Sequence, residues 1–256
     1  MKIAVLLKQV PDTQDIKWSK ENNIVREGLL SILNPVDDFA LEVVRGLKMS
    51  HSAHTTAFSM GPLQACSVLE YALARGADEA ILLNDKKFVG SDTLATARVL
   101  HAAIKERLGD FDLILCGQSA IDGETAQTPP SLAQMLGVNY VSNVSCVLDL
   151  RNGATVVVQK TPEALVELEV KLPAVISVIE GEFELEKPKI SDYVSAQLKG
   201  VEVLGAGDIG IDPELCGICG SPTCVSKVYR PEITRKCEEV TKDGAKFILE
   251  ALEYGD

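Results

Sequence analysis

Asp112-Leu113-Ile114-Leu115-Cys116-Gly117-Gln118-Ser119-Ala120-Ile121-Asp122-Gly123-Glu124-Thr125-Ala126-Gln127-Thr128 joins an unbroken apolar run to a loop of small and polar residues. The run reads as a strand buried on both faces of a parallel sheet. Ser131-Leu132-Ala133-Gln134-Met135-Leu136, just beyond, has helical spacing and stops at Gly137. The loop therefore crosses from a strand's carboxyl end to a helix, where open parallel sheets bind ligands. Gly123 can take a positive φ there, and small neighbours let a ligand reach the backbone. Ser119, Thr125, Gln127 and Thr128 supply uncharged donors, and amides at a helix start suit phosphate. A nucleotide site is the expectation, with a plain polar loop as the alternative.

Outward from this loop the strand–helix alternation continues. Residues 2–7 form a first, central strand. Trp18 and Asn22-Asn23 fit a small hairpin ending near Arg26. Asn34-Pro35-Val36-Asp37-Asp38 starts a helix that Asp37 can cap, with Ala40, Leu41, Val43, Val44 and Leu47 as its buried stripe. Residues 53–59 and 79–83 are further strands. A helix lies between them, opened by Met60-Gly61-Pro62 and closed by Arg75-Gly76. Ser91 or Asp92 caps the next helix, and Thr93 and Thr96 share one face at its start. After Gly137 the pattern becomes strands alone, over 140–148, 154–160 and 164–170, with Asn152-Gly153 as a hairpin turn. The apolar run 173–179 reads as a return to the main sheet. The expected fold is α/β: a mostly parallel, doubly wound, Rossmann-like sheet with an antiparallel addition and an extended C-terminal arm. The arm is expected from Gln197, where Gly200, Gly205, Gly207 and Gly210 punctuate the chain. This divides it into a nucleotide-binding domain, 1–196, and an arm with a final amphipathic helix, 197–256.

The composition narrows the function. Asp and Glu number 37 against 25 Lys and Arg, for a net charge of −12. That excludes the basic surface a nucleic-acid backbone needs. No apolar stretch is long enough to span a bilayer, and the opening apolar run is cut short at Lys8, too soon for a signal peptide. A cytoplasmic location is expected. Seven cysteines, an odd count, suit free thiols or metal ligands better than a closed disulfide framework. There is no Gly-x-Ser-x-Gly elbow and no Walker loop, and His51, His54 and His101 are scattered.

The loop at 117–128, the Asn34-Pro35 pair and the helix start at 91–96 together resemble the β subunit of electron-transfer flavoproteins, over nearly the whole chain. The resemblance implies a cofactor-binding set of Leu6, Asn34, Pro35, Val36, Asp37, Met60, Gly61, Ser91, Asp92, Thr93, Thr96, Gly117, Gln118, Ser119, Ala120, Ile121, Asp122, Gly123, Glu124, Thr125, Ala126, Gln127 and Thr128. Asn34, Pro35, Val36 and Asp37 would lie on the adenosine side. Thr93 and Thr96, with the Asp122–Gln127 segment, are similar to the electron-bifurcating branch, whose β subunit holds FAD; the other branch holds a structural AMP. Thr128-Pro129-Pro130 departs from the small apolar residue, Gly and Pro usual there. The family further implies an α subunit around which the C-terminal arm wraps and a flavin-dependent dehydrogenase, such as an acyl-CoA dehydrogenase. In the bifurcating branch NADH is the electron donor and ferredoxin or flavodoxin the low-potential acceptor. Oxidoreductase-type activity would belong to the complex. Phe183 and Leu185 are the apolar residues placed to dock the dehydrogenase, although Glu186-Lys187-Pro188-Lys189 replaces the family's usual Asn-Glu-Pro-Arg run. Two other readings stand beside this one: an AMP-holding carrier subunit, and a stand-alone nucleotide-binding module of the stress-protein kind without redox role.

Cys216-Gly217-Ile218-Cys219-Gly220-Ser221-Pro222-Thr223-Cys224 is a departure from the family, which keeps Gly-Ser-Pro-Thr without the flanking cysteines. Cysteines two residues apart can share one metal or cluster, with Cys224 near and Cys237 as a fourth thiolate. An iron–sulfur cluster, a zinc ion and plain free thiols all fit this spacing.

Overall fold

The computed structural model of the chain describes residues 1–12, 17–18, 24–25, 30–151, 153–181, 185–224 and 244–253. In chain order its strands and helices are β1 (Lys2–Leu6), β2 (Gln9–Pro11), β3 (Lys17–Trp18), β4 (Ile24–Val25), β5 (Ser31–Leu33), α1 (Pro35–Ser50), β6 (His54–Met60), α2 (Cys66–Ala74), β7 (Glu79–Leu83), α3 (Thr93–Leu108), β8 (Leu113–Gly117), α4 (Thr128–Leu136), β9 (Asn139–Arg151), β10 (Ala154–Lys160), β11 (Leu165–Lys171), β12 (Ala174–Val178), α5 (Ile190–Lys199), β13 (Glu202–Leu204), α6 (Gly217–Gly220) and α7 (Gly244–Glu253).

Nine strands form one sheet in the order β11-β10-β9-β12-β8-β1-β6-β7-β13. All neighbours are parallel except β9–β10 and β10–β11. The period of two in β1 sends Ile3 and Val5 to one face, against α1 and α2, and Ala4 and Leu6 to the other, against α3 and α4. Each face carries its own apolar core, which explains why β8 and β12 are buried at every residue. From β1 the chain winds through β6 to β7 on one side, then crosses back to β8 on the other. The order reverses between β1 and β8, so the switch point opens at Leu6 and Gly117.

The expected fold class is the observed one: an α/β fold on a mostly parallel sheet with antiparallel strands added. The 173–179 run does return to the main sheet, as β12 between β8 and β9. The hairpin of β3 and β4 pairs Trp18 with Ile24. α3 and α4 end at Gly109 and Gly137, at φ 61° and 69°.

Two expectations are corrected. Asp37 does not cap α1: Asn34 is the N-cap residue, and the Asp37 carboxylate reaches two strand ends instead. The chain from Gln197 is not wholly a detached arm. Residue 197 lies inside α5, β13 extends the sheet beside β7, and Leu204, Ala206, Ile209 and Cys216 join the α3-side core. The glycines that suggested an arm are turns between short packed pieces. Of the two docking candidates, Leu185 is partly buried and packs against the α1-side core, and Phe183 lies outside the described residues.

Candidate functional site

The site is built on the carboxyl ends of β1 and β8. Asp37, only 4% exposed, accepts from the Lys8 amide at 2.7 Å and the Gly117 amide at 3.0 Å. One carboxylate thus ties the two strand ends that flank the switch point. A Cβ at Gly117 would stand 2.4 Å from the Asp37 carboxylate, so this approach requires glycine. Burial pushes the Asp37 carboxyl up to about 7, against the pull of the Lys8 amide, the Asn34 side chain and the Gly117 amide. Asn34, also buried, donates to Ser119 O at 3.0 Å and accepts from the Ile121 amide at 3.2 Å. It pins the loop after β8 to the start of α1.

Above these strand ends lies a cleft of about 480 Å³. Of the residues expected at the cofactor, Leu6, Asn34, Asp37, Met60, Ser91, Asp92, Thr93, Thr96, Gly117, Gln118, Ser119, Ala120, Gly123, Glu124, Thr125, Ala126, Gln127 and Thr128 line it. Pro35, Val36, Gly61, Ile121 and Asp122 are not among its lining residues. Asp122 instead meets the Lys8 ammonium at 2.6 Å. The sequence reading missed Leu7, Lys8, Phe58, Leu100, Cys116 and Pro129. Register supplies the signal for two of them: Leu6 pairs with Phe58 on one side and Cys116 on the other, one row across the sheet. That row, with Met60 and Leu100, gives the cleft an apolar floor.

The polar rim differs from the simple helix-terminus picture. At α3, Asp92 accepts from the Leu94 and Ala95 amides, each at 3.0 Å, so its carboxylate already occupies the helix start. At α4, Pro129 and Pro130 remove two of the first amides. The donors lie in the loop between. Gly123 does not take the positive φ expected of it; Glu124 and Ala126 do, at 48° and 51°. Positive-φ residues in a loop turn the backbone so that nearby amides can face a ligand. The amides of Thr125, Ala126, Gln127 and Thr128 have no acceptor among the described residues. Thr93 Oγ1 donates to Gln127 Oε1 at 3.2 Å and joins α3 to this loop. Gln118 Oε1 accepts from the Asn143 amide and the Ser177 hydroxyl, at 3.0 and 2.6 Å, and holds the loop's first turn.

The cysteine segment packs behind Asp92, one of the residues that line the cleft. Asp92 accepts from the Thr223 amide and hydroxyl, Ser221 accepts from the Asp92 amide, and Arg98 donates to Gly220 O. Desolvation raises the Asp92 carboxyl, but bonds from Ala95, Thr223 and Leu94 outweigh it and hold the group below the ordinary carboxylate range. Cys216 is buried with its thiol toward Pro213 O at 3.5 Å, while Cys219 and Cys224 are exposed. Cys237 lies outside the described residues, and among those described no group of three ligating side chains could hold a metal ion. No helix among the described residues is long and apolar enough to cross a membrane.

A family model described as the electron transfer flavoprotein domain matches residues 22–204. The chain is similar to an electron transfer flavoprotein subunit beta of Clostridium acetobutylicum, 39% identical over 261 residues, covering 99% of this chain and 98% of the relative. It is similar to the protein FixA of Azorhizobium caulinodans, 39% identical over 240 residues, 90% of this chain and 85% of that one. The caffeyl-CoA reductase-Etf complex subunit CarD of Acetobacterium woodii is 36% identical over 246 residues, 94% of this chain and 92% of CarD.

Proposed function

The chain belongs to the electron transfer flavoprotein family as a β subunit, and from that premise we propose that its cleft holds FAD in a bifurcating complex with an α subunit. The complex takes electrons from NADH and divides them between the α-subunit FAD, which serves a dehydrogenase, and a low-potential ferredoxin or flavodoxin. The relative named as part of a caffeyl-CoA reductase complex supports an acyl-CoA-type oxidoreductase as the dehydrogenase. The FAD supplies the redox chemistry, and the protein supplies position and electrostatics.

One observation carries this reading: an apolar floor of Leu6, Phe58, Met60 and Cys116 adjoins a rim of unpartnered amides and threonine hydroxyls. The floor excludes water from a flat ring system. The Thr125–Thr128 amides and the hydroxyls of Thr93, Thr96 and Thr125 are the groups to hold a diphosphate. Asn34 fixes the loop that presents them. A site for AMP alone needs the rim at 123–128 but not Thr93 and Thr96, and both threonines line the same cleft.

The test is Thr96→Val with Thr125→Val, which removes two hydroxyls and nearly keeps shape. Each bond lost to a charged phosphate costs about 1.5–3 kcal/mol. FAD retention should fall roughly 100-fold or more. Unchanged flavin content in the double variant refutes the assignment.

A further inference from the structure

Among the described residues that line the cleft, Lys8 is the one Lys or Arg, beside the acidic Asp37, Asp92 and Glu124. A diphosphate entering there meets acidic neighbours and a single cation. That cation is held elsewhere: Lys8 Nζ donates to Asp122 Oδ1 at 2.6 Å, and Asp122 is not a lining residue. Neither end of this ion pair needs it for its shape. The Lys8 backbone is fixed by its amide, which donates to Asp37 at 2.7 Å, and by its carbonyl, which accepts from the Asn34 amide at 2.8 Å. The loop is fixed by Asn34 at Ser119 and Ile121. The Gly123 and Glu124 amides close its turn onto Ala120 O, at 3.2 and 2.8 Å. What remains for the pair to set is the position of the ammonium. Its two side chains are 48% and 33% exposed, and an ion pair so open to water is worth little. The flexible stem of a lysine lets the ammonium change partner while the backbone stays in place.

We propose that Lys8 is the phosphate-binding cation of the cleft, parked on Asp122 until a nucleotide arrives, and that Asp122 competes with the nucleotide for it. On binding, the ammonium leaves a carboxylate in contact with water for a phosphate in a drier cleft, where the attraction is stronger. It then joins the Thr125–Thr128 amides, which begin three residues beyond Asp122 and have no acceptor among the described residues. Asp122 sets the affinity without touching the nucleotide and is a positioning residue. The inference rests on the reading of the cleft as a nucleotide site, and it holds for FAD and AMP alike, since both carry phosphate.

The experiment is titration of the full-length, nucleotide-free chain with FAD, or with AMP if FAD does not bind. The same titration is run on Lys8→Met, Lys8→Arg, Asp122→Ala and the Lys8→Met, Asp122→Ala double variant, with thermal melts to show that each is folded. Lys8→Met should weaken binding about ten-fold or more, and Lys8→Arg, which keeps the charge, should restore most of it. Asp122→Ala should tighten binding by about two- to five-fold, because the cation is released. In the Lys8→Met background that gain should vanish, since no cation is left to compete for. An equal gain in both backgrounds is plain relief of negative charge and overturns the competition. Weaker binding by both single variants makes the pair a brace for the loop and overturns it as well. Wild-type affinity in Lys8→Met overturns the inference and leaves the nucleotide site standing. Failure of both nucleotides to bind the wild-type chain overturns the site reading and this inference with it.

Discussion

Gly117→Ala tests the geometry on which the cleft stands. The new Cβ would lie 2.4 Å from the Asp37 carboxylate and 3.1 Å from both Asp37 N and Val36 C. Two of these neighbours are backbone at the start of α1, so neither can swing away as a flexible side-chain end would. Forcing a methyl into such a site costs about 1–3 kcal/mol. Displacing the carboxylate from the Gly117 amide, now at 3.0 Å, costs about 1.5–3 kcal/mol more for a hydrogen bond to a charged group. The gain from replacing a strand glycine is only about 0.4–1 kcal/mol. The net loss is about 2–5 kcal/mol, a fall in Tm of roughly 5–15 °C for a chain of this size. Differential scanning calorimetry reads it, with Gly123→Ala as the control. Gly123 has open space around its Cβ position and no positive φ, so its variant should match or slightly exceed wild type. A Gly117→Ala protein as stable as wild type refutes the clasp between α1 and the strand ends.

Three further outcomes follow from the same structure. Arg75 is 5% exposed and bridges Asp38 and Glu42, so Arg75→Met leaves Asp38 with the Tyr71 hydroxyl alone and Glu42 with Arg45 alone, and should cost about 3 kcal/mol by urea denaturation, the low end for a broken buried pair. The loss should deepen as pH rises, because burial already holds the Asp38 carboxyl above its usual value and the variant removes its cation. Asp92 has the opposite sign: its depressed carboxyl contributes stability that is present above the ordinary carboxylate value and lost as pH falls below it. Acidification toward pH 3 should therefore expose residues 216–223 to an acid-active protease, and Asp92→Ala should expose them at neutral pH. Asn34→Ala leaves the Ser119 carbonyl and Ile121 amide without their partner, for about 1–3 kcal/mol in thermal stability and a visible loss of bound nucleotide.

The parts of the fold legible in the sequence are those written locally. The apolar run ending at Gly117, the Asp92 cap and the stop at Gly137 depend on residues within a few positions of one another. They place the switch point and most of the cleft wall. What was not legible depends on distant partners. Asp37 looks like a helix cap because its true acceptor role involves Gly117, 80 residues away. Local preference assigns the positive φ to Gly123. The fold places it at Glu124 and Ala126, in the stretch between the Asn34-pinned turn and α4. β13 is three residues long amid glycines, so only its pairing with β7 reveals that the segment belongs to the sheet. The cleft floor shows the same limit: Phe58 and Cys116 read as ordinary core until register sets them beside Leu6.

The central claim is that this subunit holds a redox-active FAD. Its most direct test is the cofactor count of the complex, co-expressed with its α subunit and purified gently. Flavin is measured by absorbance after acid release, and adenine nucleotides by chromatography. The account predicts two FAD per αβ pair, one of them lost from the Thr96→Val, Thr125→Val variant. One FAD together with one AMP per pair contradicts it and leaves this cleft a structural nucleotide site.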